Sequence, residues 1–347
     1  MNEPAVVKRE KVKELDFTRT LAVLGVIIAH FSSANLKGFP NTEFNNLSLS
    51  SLSVACFLII SGFSMFYNHD EISDYKRYYI KQWKRIFPAY YVVWLIFFLD
   101  KAFQKGAFLY NGGVSSIPYI FLTVIGLDGY LLFVFPKAYY ITGEWFLGAI
   151  LILRLIFPLL LSVKKKKLYE IIVVVSTVVL YILSFLFPIT SMYRLRTIPY
   201  CLLCFMIGYG IQKFSFWKKR LIVLLSAVCF LILLLFKLPY LKIEVYTPLA
   251  ATCLVLFSLG IGRIICNNSV VYRTSAAISR LSYNIFLLQH IIIYKVFSSD
   301  SFRGMGRKGL CFLLLLTFII ICACARGLEI IMNESKLFRK DKIIKQE

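Results

Sequence analysis

Apolar residues run along this chain in long, nearly unbroken stretches, and polar residues collect in the gaps between them. Ten stretches lie near residues 17–34, 49–67, 86–103, 144–163, 168–187, 195–213, 219–238, 245–266, 281–297 and 308–331. Each is long enough, or nearly so, to cross a hydrocarbon core of about 30 Å as a helix. The pattern predicts an all-α, polytopic integral membrane protein with about ten spans. It divides the chain into an N-terminal arm (1–16), a membrane domain (17–331) and a basic tail (332–347), with no internal repeat and no separate soluble domain.

Charge in the gaps alternates. The arm is basic, as are the 68–85 gap, the KKKK run at 164–167, the WKKR run at 217–220, the gap with Arg273 and Arg280, and the tail; the intervening gaps carry little charge. Basic loops stay on the cytoplasmic side, so both termini are expected there. The 298–307 gap, with Arg303 and Arg307, runs against this alternation. The longest outer piece, 104–143, holds two apolar stretches around Asp128 and Gly129, neither clearly a span. It is expected to be re-entrant or interfacial and to cap an outward-facing cavity. The first apolar run is followed by no small-residue cleavage site, so the first span is expected to stay in the membrane.

Composition narrows the classes further. With 59% hydrophobic and 17% charged residues and a mean hydropathy of +0.73, the chain is not an ordinary soluble protein. The net charge of +22 is first a topology signal, and it favours contact with anionic membrane lipids or phosphorylated cytosolic ligands. It is scattered over short loops, so nucleic acid is not an expected partner. The nine cysteines lie in or beside apolar runs; Cys201 and Cys204, spaced as CxxC, fall within a span and read as small packing residues. No HxxxH pair, Cys/His cluster or Walker-type loop occurs, so no metal site is expected.

Polar residues inside the spans are the candidates for chemistry. Arg19 and His30 are eleven residues apart in the first span. At ~100° per residue they fall some 20° from one face of one helix, with a rise of ~16 Å between them. Asp16 lies three residues before Arg19, within ion-pair reach. Arg19 either snorkels at a cytoplasmic helix end or holds a phosphate from the cytosol. His30 lies deep, where an ionisable residue faces a polar cavity or bridges two helices. A neutral imidazole there is the best general base in the chain. Lys81, Lys84 and Arg85 serve either as positive-inside charge or as further phosphate contacts, with Arg85 favoured because Pro88 fixes the nearby helix start. Ser61 and Gly62 read as close-packing residues that alternatively make room for a ligand. Glu144 either orients His30 or sits at the interface with Trp145 as a belt aromatic. Tyr283 and His290, seven residues apart, share a face in the ninth span. Arg154 is a charge within a span that needs a partner, which the sequence does not name.

Several of these segments, in order, resemble the family-3 membrane acyltransferases. LDFTRTLAVLGVIIAHF (15–31) is similar to that family's first helix, with its arginine, ten residues, and histidine; CFLIISGFSMF (56–66), YYIKQWKRIFPAYY (78–91), EWFLGAILILRLIFPLL (144–160) and SRLSYNIFLLQH (279–290) resemble later segments. The resemblance spans residues 14 to 330 and implies an O-acyltransferase of surface polysaccharides. Its members take an acyl group, commonly acetyl, from cytosolic acetyl-CoA and pass it to a hydroxyl on an extracytoplasmic or lipid-linked glycan. The resemblance implies a catalytic role for His30, an essential one for Arg19, and donor binding by basic residues of the third helix. The family often carries two arginines three apart there; here Arg85 matches the second, and the first falls on Gln82, beside Lys81.

The expected function is therefore O-acetyl transfer, with acetyl-CoA as donor and no metal. His30 deprotonates the acceptor hydroxyl or carries the acyl group; Arg19, Lys81 and Arg85 hold the donor phosphates; Glu144, Trp145 and the 104–143 segment shape the acceptor side, with Ser61, Tyr283 and His290 lining the pocket. The rivals are a transporter or flippase, or a polymerase, of a lipid-linked glycan.

Overall fold

The structure is a computed structural model that describes residues 10–35, 37–45, 47–105, 119–132, 134, 145–187, 192–236, 242–298, 302 and 305–334, without the side chains of 101–105. Its long helices are α1 (Lys13–Ala34), α2 (Leu49–Asn68), α3 (Tyr75–Lys105), α6 (Trp145–Leu160), α7 (Lys167–Leu186), α8 (Ile198–Phe214), α9 (Arg220–Leu235), α10 (Ile243–Ile265), α11 (Ser269–Phe297) and α12 (Arg307–Glu334). Two short helices, α4 (Ile120–Val124) and α5 (Asp128–Leu131), lie between α3 and α6. A two-stranded antiparallel hairpin, β1 (Glu43–Phe44) with β2 (Leu47–Ser48), precedes α2, with Phe44 opposite Leu47. The hydropathy pattern had no means of announcing so short a hairpin.

Among the described residues, seven helices are long and apolar enough to cross a membrane: α1, α2, α6 with the turn that follows it, α7, α10, α11 and α12. Helices α8 and α9 are apolar but shorter, at 17 and 16 residues. Helix α3 has 31 residues, yet only residues 86–99 separate Arg85 from Asp100, so its first turns are too charged for a hydrocarbon core. Helix α11 begins twelve residues before the apolar run at 281. Asn268 caps it by accepting hydrogen bonds from the Val270 and Val271 amides, and its first turns bury Ser275 and Ser279 rather than apolar side chains.

Helix α1 is central. It packs on α2, α10 and α11 along much of its length, while α2 packs closely on α8. That closeness rests on two glycines. A Cβ at Gly62 would sit 1.9 Å from the Phe205 carbonyl oxygen, and one at Gly208 would sit 2.0 Å from that of Ile59. Helices α7 and α9 lie outermost: α7 buries only Thr177, and α9 only Ser226 and Leu233. Their exposed Val, Leu and Ile residues form the apolar outer shell expected of a protein solvated by lipid.

Pro88, Pro158 and Pro248 sit inside helices, where a proline ring leaves the carbonyl four residues earlier without its usual partner. At Pro158 and Pro248 a tyrosine hydroxyl donates to that oxygen. Tyr78 reaches the Arg154 carbonyl at 2.9 Å ahead of Pro158, and Tyr181 reaches that of Glu244 at 2.9 Å ahead of Pro248. These bonds latch α3 to α6 and α7 to α10.

The two short helices account for part of the 104–143 segment. At five and four residues neither spans; α4 is anchored to α3, whose Tyr90 and Tyr91 hydroxyls donate to the Thr123 and Val124 carbonyls, and α5 packs on α6. All nine cysteines are free thiols, and Cys201 and Cys204 are buried packing residues in α8.

Candidate active site

The packing of α1 on α11 brings His30 and His290 together, with ring centroids 4.8 Å apart and planes tilted by 51°. Tyr294, one turn further along α11, stacks on His290 at 4.6 Å. Two imidazoles at this distance can share a proton or fix each other's tautomer. Both were visible in the sequence; that they meet was not, because 260 residues separate them.

Toward the end of the bundle where the basic loops gather, Arg19 is held by three helices. Its Nη1 donates to Ser279 Oγ of α11 at 2.9 Å, and its Nη2 to Ser64 Oγ of α2 at 3.2 Å. Asp16 lies 3.8 Å from Arg19 and accepts a 2.6 Å hydrogen bond from Ser279 Oγ. The other Asp16 oxygen pairs with Lys11 at 2.6 Å, and this carboxylate raises the Lys11 pKa above the usual lysine value. The Asp16–Arg19 pair expected from spacing is present, but Asp16 is shared between two cations. Ser64 and Ser279 were not singled out in the sequence; a serine in a span carries no signal until a charged neighbour is known.

Arg154 finds its partner on α3. Its Nη1 donates to Gln82 Oε1 at 2.6 Å, while Tyr78, one turn earlier on the same face, holds its backbone carbonyl. Arg85, one turn beyond Gln82, lies within electrostatic range of both Arg154 and Arg19. Tyr283 is near Arg154 and donates to the Ile86 carbonyl at 2.9 Å, joining α11 to the same stretch of α3. Three arginines from α1, α3 and α6 thus share one region. Lys81 is exposed on the flank of α3, and Lys84 is half-buried. Beyond these bonds to α6 and α11, α3 buries Ile86, Ala89, Tyr90 and Val93 against the bundle.

The family model for the acyltransferase domain matches residues 12–326, which include Asp16, Arg19, His30, Gln82, Arg85, Arg154, Tyr283 and His290. The chain belongs to the family 3 acyltransferases. Comparison with curated proteins and with solved structures finds no match. Membership of this acyltransferase family, together with the apolar helices, makes the protein a multi-pass membrane acyltransferase and sets aside the transporter and polymerase readings.

The remaining candidates of this family 3 acyltransferase lie on α2 and at the start of α6. Ser61 shares a face of α2 with Phe57 and Ser64, at spacings of four and three residues, whereas Gly62 faces α8. Phe57 meets Phe146 at 6.0 Å, and Phe146 meets Phe286 at 5.3 Å, so α2, α6 and α11 converge beside the histidines. Trp145 opens α6, with the Arg196 guanidinium 5.4 Å from its ring centroid. Glu144 lies outside the described residues.

Proposed function

We propose that the protein moves an acetyl group from cytosolic acetyl-CoA to a hydroxyl of an extracytoplasmic or lipid-linked polysaccharide, at the multi-pass cell membrane, with both termini in the cytosol. The observation that carries this reading is the polar axis of α1: Arg19 among three helices at one level, and the His30–His290 pair about 16 Å further along the same helix. An elongated donor with phosphates at one end and a thioester at the other fits that separation. The arginine end is the end of the basic loops, which favours entry from the cytosol.

In the reaction, the acceptor hydroxyl attacks the thioester carbonyl while the His30 imidazole takes its proton. The tetrahedral intermediate then expels the coenzyme A thiolate, which recovers a proton from the imidazolium. One C–S bond breaks, one C–O bond forms, and His30 returns to its neutral state. Transfer through an acyl-histidine balances equally well, and the same two histidines serve it. His290, beside His30, orients the imidazole and stabilises its protonated form. Arg19 and Arg85 hold the donor phosphates; Lys81 adds positive charge at the mouth; Ser61 and Tyr283 line the passage; Trp145 and Glu144 shape the acceptor side.

The test is the proton NMR spectrum of the host's purified surface glycans, taken without base treatment. Three strains are compared: intact, gene-deleted, and deleted but carrying His30→Ala at matched expression. The expected result is an ester acetyl signal that disappears on deletion and is not restored by His30→Ala. Unchanged acetyl signals would remove the glycan acceptor.

A further inference from the structure

We propose that Arg154 is a phosphate-binding residue of the donor site and that Gln82 is the residue that positions it. This inference rests on the acyl-CoA reading for the identity of the donor, but the anion site itself stands on the geometry.

Arg154 lies in the apolar helix α6 and is immobilised twice by α3. Tyr78 holds its backbone carbonyl at 2.9 Å, and Gln82 Oε1 accepts from its Nη1 at 2.6 Å. Gln82 is neutral, so this bond aims the guanidinium without cancelling its charge, and the fork retains further N–H donors. Arg85 is the next residue of α3 on the Gln82 face, three positions on. Among the described residues it makes no ion pair. Its side chain is exposed to solvent. Arg19 is the third cation in range.

Charge balance supplies the second argument. Of the acids described, only Asp16 lies beside these arginines, and Lys11 already shares it. Three guanidiniums from three helices, with one divided carboxylate, repel one another wherever water is scarce. Such a cluster is stabilised by a ligand carrying two or more phosphoryl charges, and arginine forks match phosphate oxygens in pairs. A strut between α3 and α6 needs no charge; the Tyr78 bond already joins them. The ligand class is thus a diphosphate-bearing nucleotide carrier, of which acetyl-CoA is one, with Arg154 and Arg85 on adjacent phosphoryl groups.

The full-length protein in nanodiscs provides the test, with coenzyme A and inorganic pyrophosphate as probes in calorimetric titrations and thermal unfolding recorded alongside. Arg154→Gln is expected to raise both Kd values about tenfold or more, the loss of one charge-assisted contact. Gln82→Ala keeps the charge but frees the guanidinium, and is expected to weaken both by about threefold. The exchange variant Gln82→Arg/Arg154→Gln places the guanidinium on the other side of the same hydrogen bond and is expected to recover most of the affinity. A purely structural role would not produce that recovery. Should Arg154→Gln fail to fold, Gln82→Ala and the exchange variant carry the test. Unchanged Kd values in Arg154→Gln or in Gln82→Ala overturn the proposal, as does an exchange variant that melts like the native protein yet does not recover binding. If pyrophosphate binds in an Arg154-dependent way and coenzyme A does not bind, the anion site stands and the acyl-CoA reading falls. If the native protein binds neither, both fall.

Discussion

His30 and Arg19 do different work although they share one face of α1. His30 touches the reacting atoms in the proposed reaction, so His30→Ala should lower acetyl transfer by about a hundredfold or more, in the range for a lost general base. Its melting temperature in detergent should stay near that of the native protein, because His30 is only half-buried. His290→Ala should cost less, since it removes the neighbour and leaves the base; comparison of the two rates checks the assignment. Arg19 is bonded to Ser279 and Ser64 on two other helices, so Arg19→Ala should both raise KM for acetyl-CoA and lower the melting temperature. Arg19→Lys keeps the charge but loses the fork, and should recover only part of each.

At the level of helices, stability depends on close backbone approach and on carbonyls rescued from proline. Gly62→Ala places a methyl group against the Phe205 carbonyl, which is backbone and yields little, so a loss of about 1–3 kcal/mol is expected in thermal unfolding. Gly327→Ala in α12 meets nothing within 4 Å and should be neutral or stabilise by about 0.5–1 kcal/mol. Tyr181→Phe leaves the Glu244 carbonyl unpaired inside the bundle and should cost about 1–3 kcal/mol, again read by unfolding. Tyr78→Phe removes one of the hydrogen bonds between α3 and α6 and leaves the Arg154 carbonyl unpaired, and it should also weaken donor binding, because that bond helps to fix Arg154.

The whole molecule is a bundle whose interior holds the polar residues and whose outer helices hold the lipid. Val175, mid-way along α7, is 54% exposed, and in a membrane it faces acyl chains. Val175→Lys should therefore raise the cost of membrane insertion by about 2.5–3.5 kcal/mol and reduce the amount of protein recovered in the membrane fraction. Val175→Leu should leave that amount unchanged.

Much of this was legible from the chain alone. Span existence follows from transfer free energy added over some twenty neighbouring residues, and the shared face of Arg19 and His30 follows from helix periodicity within one segment; both are local quantities. So the helices, the basic loops and the candidate base were open to sequence reading. Helix α3 and the first turns of α11 were only half legible, because there the helix outruns the apolar run that signals it. The tertiary structure decided which helices meet. It set His30 against His290, gave Arg154 to Gln82, and sent α7 to the rim while α2, which is less apolar, went to the centre. Hydropathy is silent on these choices because lipid is as apolar as a leucine side chain. Helices in a membrane select one another by shape, as Gly62 does against Phe205, and by hydrogen bonds between residues far apart in the chain.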